Sequence, residues 1–303
     1  MKQLQGRDLL SIADLTSDEL YYLLHLASEF KSGKLSIQCK KVLGLLFYKA
    51  STRTRVSFSV AMYQLGGQVM DLNPSVTQVV RGEPIQDTAR VLDRYLDILA
   101  VRTFKQEDLE TFAEYAQIPI INALSDLEHP CQILADFMTI EENFGQLKDI
   151  TLTYLGDGNN VAHSLIIGGA LVGMKIRIAT PVGYEPLPSV VEKARKIGGD
   201  ITITNNPLEA IQGSQVLYTD VWASMGQEDL ANDRIPIFQP YQINNMALAV
   251  SDPQAIVLHC LPAHRGEEIT EEVMECQQSK IWDQAENRMH AQKALLSSLL
   301  GLS

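Results

Sequence analysis

Short apolar runs alternate with segments of helical period along almost the whole chain, and that alternation restricts the fold more than any other feature. Val42–Tyr48, Gln68–Leu72, Ile98–Val101 and Ile118–Ile121 have the length and character of strands. Val56, Phe58, Val60, Ala61 and Leu65 recur at helical spacing after the first of them, Val91, Leu92 and Leu96 after the second, and 107–115 after the third. Asp87 is placed to cap the helix through Val91. A second series begins at Ile150, with strands near Thr151–Leu155, Ile176–Ala179, Ile201–Ile203, Val216–Tyr218 and Ile256–His259. Helices near Val161–Leu171 and Ser189–Ile197 lie between them. Regular strand–helix alternation predicts parallel sheets covered by helices. The segment from Leu134 to Phe144 reads as a connecting helix and Gly145–Lys148 as a junction.

A chain of 303 residues is long for one core, so two series mean two domains. The expected fold is α/β, each domain a mostly parallel sheet flanked by helices and joined by connecting helices. The expected limits are 1–146 and 147–286, with a C-terminal helix over 287–303 packing back on the first domain. An earlier helix within 8–33 is opened by Thr16-Ser17-Asp18-Glu19.

The formal net charge of −12 argues against a nucleic-acid or anionic-membrane surface, which needs a basic face. Local arginines can still hold a small anion. Cys39, Cys131, Cys260 and Cys276 are scattered with no metal-binding spacing, which points to a reducing compartment and no structural metal. The first residues have neither a signal-peptide apolar core nor an Arg/Ser-rich transit pattern. The apolar stretch around Leu165–Met174 is broken by glycines and too short for a bilayer. The expected location is therefore cytoplasmic.

Ser51-Thr52-Arg53-Thr54-Arg55 stands where the first strand gives way to a helix. Hydroxyl side chains cap helices, a helix N-terminus attracts anions, and guanidinium groups fork onto phosphate oxygens. A capped surface helix with two solvated arginines would read the same way in isolation. Two arginines among three hydroxyls at the end of a buried strand favour a phosphate cradle.

Lys49-Ala50 followed by STRTR resembles the carbamoyl-phosphate loop of the aspartate/ornithine carbamoyltransferase family, and the likeness covers nearly the whole chain. The later motifs resemble its ornithine branch. His129-Pro130-Cys131-Gln132 opens a helix with Pro130 suited to the first helical position; it is similar to the family motif that holds the carbamoyl group. Arg102 ends a strand, where open sheets place ligands. Asp220-Val221-Trp222-Ala223-Ser224-Met225-Gly226 matches the ornithine enzymes' D-x-x-x-S-M-G motif, and His259-Cys260-Leu261-Pro262 matches their H-C-L-P. Without that context the first is an ordinary loop and Cys260 inert packing.

The resemblance implies transfer of the carbamoyl group of carbamoyl phosphate to the δ-amine of L-ornithine, giving L-citrulline and phosphate in arginine metabolism. It implies that the first domain binds carbamoyl phosphate, the second ornithine, with the site in a cleft between them. Ser51, Thr52, Arg53, Thr54 and Arg288 would hold phosphate; Arg102, His129 and Gln132 would hold and polarise the carbamoyl group, beside Cys260 and Leu261. Asn160, Asp220, Ser224 and Met225 would hold the amino acid, and Cys260 and Asp220 would stand near the δ-amine. The catalytic set so implied is Arg102, His129, Asp220 and Cys260. No metal or organic cofactor is implied.

The polar loop Asn73–Glu83 is long enough to be mobile or functional. The resemblance implies a homotrimer in which this loop, through Gln78, completes a neighbour's site. Ser59 stands where many relatives have Glu, a turn into the helix, with a small expected effect on packing and none on chemistry.

Gly156-Asp157-Gly158-Asn159-Asn160-Val161 invites a dinucleotide-binding reading. That fingerprint needs a small residue at Val161 and an acidic one after the next strand, where Thr180-Pro181 stands. It fails on both, leaving a tight strand–helix turn or the amino-acid contact of Asn160. Another acceptor, such as aspartate, putrescine or an acylated ornithine, remains the nearest alternative function, and a nucleotide-binding module a distant one.

Overall fold

The computed structural model describes residues 4–76, 78, 82–223 and 231–302. The chain forms two compact units, one of Met1–Met138 with Glu286–Ser303 and the other of Thr139–Ala285. The division falls inside a helix, ahead of the glycine junction at Gly145.

In the first unit α1 (Ser17–Lys31) starts where Thr16–Glu19 predicts. The Thr16 hydroxyl accepts from the Glu19 amide at 3.2 Å and the Glu19 carboxylate accepts from the Thr16 amide at 2.9 Å. This capping box satisfies two helix-end donors reciprocally. The sheet contains β1 (Val42–Phe47), β2 (Gln68–Leu72), β3 (Ile98–Arg102) and β4 (Ile120–Leu124), all parallel, in the order β2-β1-β3-β4. α2 (Thr52–Gln64), α3 (Ile85–Leu92) and α4 (Gln106–Tyr115) connect the strands, and α5 (Pro130–Phe144) follows β4. Leu46, Leu99 and Val101 of the sheet pack with Leu109 and Phe112 of α4, which is why the central strands read as continuous apolar runs.

Three local expectations are corrected. β4 begins at Ile120 and reaches Leu124 instead of covering Ile118–Ile121, because Pro119 has no amide for the ladder. α3 begins at Ile85 after Pro84, so Asp87 lies in its first turn, where its charge complements the helix dipole without capping; Leu96 lies beyond the helix end. Arg288 does not open the last helix, since α12 begins at Ile281 (below).

The second unit contains β5 (Thr151–Leu155), β6 (Lys175–Ala179), β7 (Asp200–Thr204), β8 (Val216–Thr219) and β9 (Ile256–His259), again all parallel, in the order β7-β6-β5-β8-β9. Its helices are α6 (Asn160–Val172), α7 (Pro188–Lys196), α8 (Pro207–Ile211), α9 (Ala231–Phe238), α10 (Asn245–Val250) and α11 (Glu271–Met274). α6 stops at Gly173, whose φ of 72° suits a residue without Cβ. Leu155, Leu217 and Val257 anchor the core with Tyr241, Ile243 and Ile281. The chain then returns to the first unit along α12 (Ile281–Leu299). No helix among the described residues is long and apolar enough to cross a membrane.

Open parallel sheets bind ligands outside strand carboxyl ends, where the strand order reverses. That reversal lies between β1 and β3 in one sheet and between β5 and β8 in the other.

Candidate active site

The switch point of the first sheet gathers the cationic motifs. Phe47 of β1 lies opposite Arg102 of β3, and the Tyr48 amide donates to the Arg102 carbonyl at 2.8 Å. Ser51 has extended backbone and caps α2, its hydroxyl accepting from the Thr54 amide at 3.3 Å. The amides of Thr52 and Arg53 belong to the helix end, which has no intrahelical acceptor for them. The buried Thr54 hydroxyl accepts from Arg288 Nη2 at 2.6 Å, which ties α12 to the start of α2. Ser59 donates back to the Arg55 carbonyl at 2.7 Å, while Arg55 pairs with Asp71 and lies over the Phe47 ring.

β4 leads to His129, and Pro130 opens α5 at no cost in hydrogen bonding. His129, Gln132, Arg102 and Arg288 are all buried. Burial, then the charges of Arg288 and Arg102, hold the His129 pKa well below the usual histidine range. The imidazole is thus a neutral donor and acceptor at physiological pH. Burial pushes the neighbouring Cys131 thiol up to about 12, so it remains a packing residue. Lys49 is lowered by burial and by Arg102, with Asp126 opposing. Gln132 Nε2 donates to Asp136 Oδ1 at 2.8 Å, which orients the amide because a carboxylate can only accept. Gln132 Oε1 is buried and has no hydrogen-bond partner among the described residues.

The switch point of the second sheet carries the acceptor motifs. Asn159 caps α6, its Oδ1 accepting from the Val161 and Ala162 amides, and Asn160 is the first helical residue. A Cβ on Gly158 would collide with the backbone of Glu185 and Pro186. Close packing of that loop therefore explains the glycine without a pyrophosphate. Asp220 follows β8 and is buried; its Oδ1 accepts from Cys260 Sγ at 3.0 Å and from the Val221 amide at 2.8 Å. Its Oδ2 accepts from Asn159 Nδ2 at 2.9 Å. Asp157, raised chiefly by burial, is opposed by Arg234, which donates to it at 2.8 Å.

Cys260 and Leu261 follow β9. Leu261 has φ 59°, a left-handed conformation that costs a branched residue about 1–2 kcal/mol. Its amide donates to His259 Nδ1 at 2.8 Å, so Nε2 carries the ring proton and donates to Glu268 Oε1 at 2.9 Å. That buried pair holds the bend that presents Cys260. Ligand atoms of Asp220, His259 and Cys260 lie within 4.8 Å of one another. Both imidazole nitrogens already have partners, which leaves the histidine no lone pair for a metal.

The sites expected from sequence thus form two groups. Ser51, Thr52, Arg53, Thr54, Arg102, His129, Gln132 and Arg288 belong to the first unit; Asn160, Asp220, Cys260 and Leu261 to the second. Gln78 is exposed, with its carbonyl accepting from the Glu83 amide at 3.3 Å. Ser224 and Met225 lie outside the described residues, as do Thr77 and Val79–Arg81 of the Gln78 loop. Sequence reading missed Asn159, Asp136 and Glu268. Asn159 carried an N-cap signal and Asp136 an i,i+4 signal from Gln132; Glu268 had none, since only the fold brings it to His259.

Fold and sites define an α/β protein of two parallel-sheet units, with cationic groups at one sheet's carboxyl edge and a hydrogen-bonded Asp–Cys pair at the other's. The family model for the aspartate/ornithine carbamoyltransferase carbamoyl-P binding domain matches residues 7–142, and that for the Asp/Orn binding domain matches residues 148–299. The chain belongs to the aspartate/ornithine carbamoyltransferase family. It is 72% identical to an ornithine carbamoyltransferase of Synechocystis sp. over 100% of this chain and 99% of the relative. A second relative of that description, from Nostoc punctiforme, is 68% identical over 99% of each chain. Among solved structures, ornithine carbamoyltransferase from Pyrococcus furiosus superposes with a TM-score of 0.94 at 48% identity, covering 98% of both chains. That from Gloeobacter violaceus gives 0.90 at 55% identity, covering 98% of this chain and 99% of the other.

Proposed function

We propose that the protein transfers the carbamoyl group of carbamoyl phosphate to the δ-amine of L-ornithine, forming L-citrulline and phosphate. The observation that carries the choice of acceptor is the buried Asp220 carboxylate bonded to Cys260 at the second switch point. A carboxylate there pairs with an amine and repels the second carboxylate of aspartate. The full-length identity to ornithine carbamoyltransferases supports the same reading.

In this reading the α2 N-terminus holds the phosphate through Ser51, Thr52, Arg53 and Thr54, with Arg288. Arg102, His129 and Gln132 hold the carbamoyl group, and charge developing on its oxygen is met by the Arg102 cation and the neutral His129. Leu261 adds a contact beside Cys260. Asn160, Asp220, Ser224 and Met225 hold ornithine. The δ-amine resembles that of lysine, with an unperturbed pKa of about 10, so it must shed a proton before attack; Asp220 and Cys260 stand at that proton. The neutral amine attacks the carbamoyl carbon, the C–O bond to phosphate breaks, and phosphate leaves with the electron pair and takes up the second proton that the amine nitrogen loses. Catalysis rests on positioning and charge stabilisation, without a covalent enzyme intermediate. The working protein is a cytoplasmic homotrimer in which Gln78 completes the site of a neighbouring subunit.

The test is citrulline formation from carbamoyl phosphate, with ornithine, aspartate and putrescine compared as acceptors. Turnover with ornithine alone is expected. Preference for either other acceptor would overturn the assignment.

A further inference from the structure

Asp220 owes its orientation to a residue that no motif assigns. A carboxylate offers about four lone-pair positions. Oδ1 accepts from Cys260 Sγ at 3.0 Å and the Val221 amide at 2.8 Å, and Oδ2 accepts from Asn159 Nδ2 at 2.9 Å. Among the described residues, one position, on Oδ2, is left. The Asn159 amide cannot turn over, because its Oδ1 is held by the Val161 amide at 3.0 Å, the Ala162 amide at 3.3 Å and the Tyr154 hydroxyl at 3.3 Å. An amide whose oxygen is claimed by a helix end must present its NH₂ the other way. Here the other way is Asp220, across the switch point between β5 and β8.

We infer that Asn159 is a positioning residue for the acceptor amine. It uses the start of α6 as a fixed support, occupies one lone pair of Asp220 Oδ2, and leaves the other directed at the primary amine of the substrate. The inference rests on the proposal that Asp220 meets that amine. Among the described residues, the titratable groups facing Asp220 are Tyr154 and Asp157 from β5 and its loop, His259 at the end of β9 and Cys260 after it, with Arg234 of α9 held on Asp157.

Asn159→Ser separates capping from positioning, since serine caps a helix as well as asparagine but cannot reach Asp220 with a donor. Carbamoyl-phosphate affinity and the circular dichroism spectrum are expected to stay at wild-type values, while the thermal midpoint falls modestly with the lost bond to Asp220. kcat/KM for ornithine is expected to fall by about ten- to a hundredfold, the usual effect of losing a hydrogen bond to a charged group. Asn159→Asp also keeps the cap but places a carboxylate oxygen where Nδ2 was, 2.9 Å from Asp220 Oδ2. Two carboxylates that close share a proton, so the pH profile of KM for ornithine should differ from the one that wild type and Asn159→Ser share. Wild-type kcat/KM in Asn159→Ser, or an unchanged KM–pH profile in Asn159→Asp, would overturn the inference. Asp220→Asn run in parallel identifies a failure of the parent reading: full ornithine turnover there removes Asp220 itself from the site.

Discussion

Replacing Thr54 by valine probes the tie between the two ends of the first unit. The Thr54 hydroxyl and Arg288 Nη2 lie 2.6 Å apart, both residues are buried, and 234 positions separate them in sequence. Valine keeps the shape and removes the acceptor. A hydrogen bond to a charged group is worth about 1.5–3 kcal/mol, and a buried guanidinium nitrogen deprived of it keeps its desolvation cost. At about 2–4 °C per kcal/mol, the thermal midpoint should drop by several degrees. Arg288 is also proposed to hold phosphate, so its aim and the anion affinity should fail together, by roughly thirtyfold if about 2 kcal/mol is lost. Ligand-induced stabilisation reads this directly. Phosphate at a hundred times its dissociation constant stabilises by about 2.7 kcal/mol; thirtyfold weaker binding at that concentration leaves about 0.9 kcal/mol. Differential scanning fluorimetry with and without phosphate measures both effects, and Thr54→Ser, which restores the hydroxyl, should return most of each. A Thr54→Val protein with wild-type midpoint and wild-type phosphate stabilisation would refute the argument.

Asp220→Asn keeps shape and removes charge; ornithine turnover should collapse while calorimetry still detects carbamoyl phosphate binding, and equal loss of both would mean damage to the fold. His129 is held neutral by burial and by Arg288 and Arg102, so the unfolded chain takes up its proton first as pH falls. Stability from this group is therefore complete above about 6.5 and lost below it. His129→Gln should flatten, without abolishing, the fall of thermal midpoint from neutral to mildly acidic pH, since the lowered His290 remains; an unaltered slope counts against a neutral His129. If the proposed homotrimer forms, Arg53→Ala and Gln78→Ala, each inactive alone, should regain roughly a quarter of wild-type sites when refolded together, because every mixed ring of three contains one junction of an intact loop with a neighbour's intact cradle. Mixed trimers confirmed by mass but without activity would mean that every subunit builds its site alone.

The alternation of apolar strands and helical segments is local information, and it determined the two parallel sheets. Val42–Phe47 and Thr151–Leu155 read as buried strands because both faces of a parallel sheet are covered. Thr16–Glu19 and Ser51–Thr54 announced their helix starts because a cap involves neighbours three residues apart. Boundaries set by competing local rules were less legible. Pro84 moved the start of α3 ahead of Asp87, and Pro119 moved β4. Residue types alone could not supply the order of the strands, which puts Arg102 beside the STRTR loop and Asp220 beside the start of α6. Nor could they show that Arg288 reaches Thr54, that Glu268 holds His259, or that Asn159 bonds Asp220. Those contacts join residues from 9 to 234 positions apart, beyond the reach of a cap or a helical repeat. Only the packing of strands and helices decides which side chains come within a hydrogen bond's length of each other, because chemistry declares what a side chain can bond and the fold alone sets what it can reach.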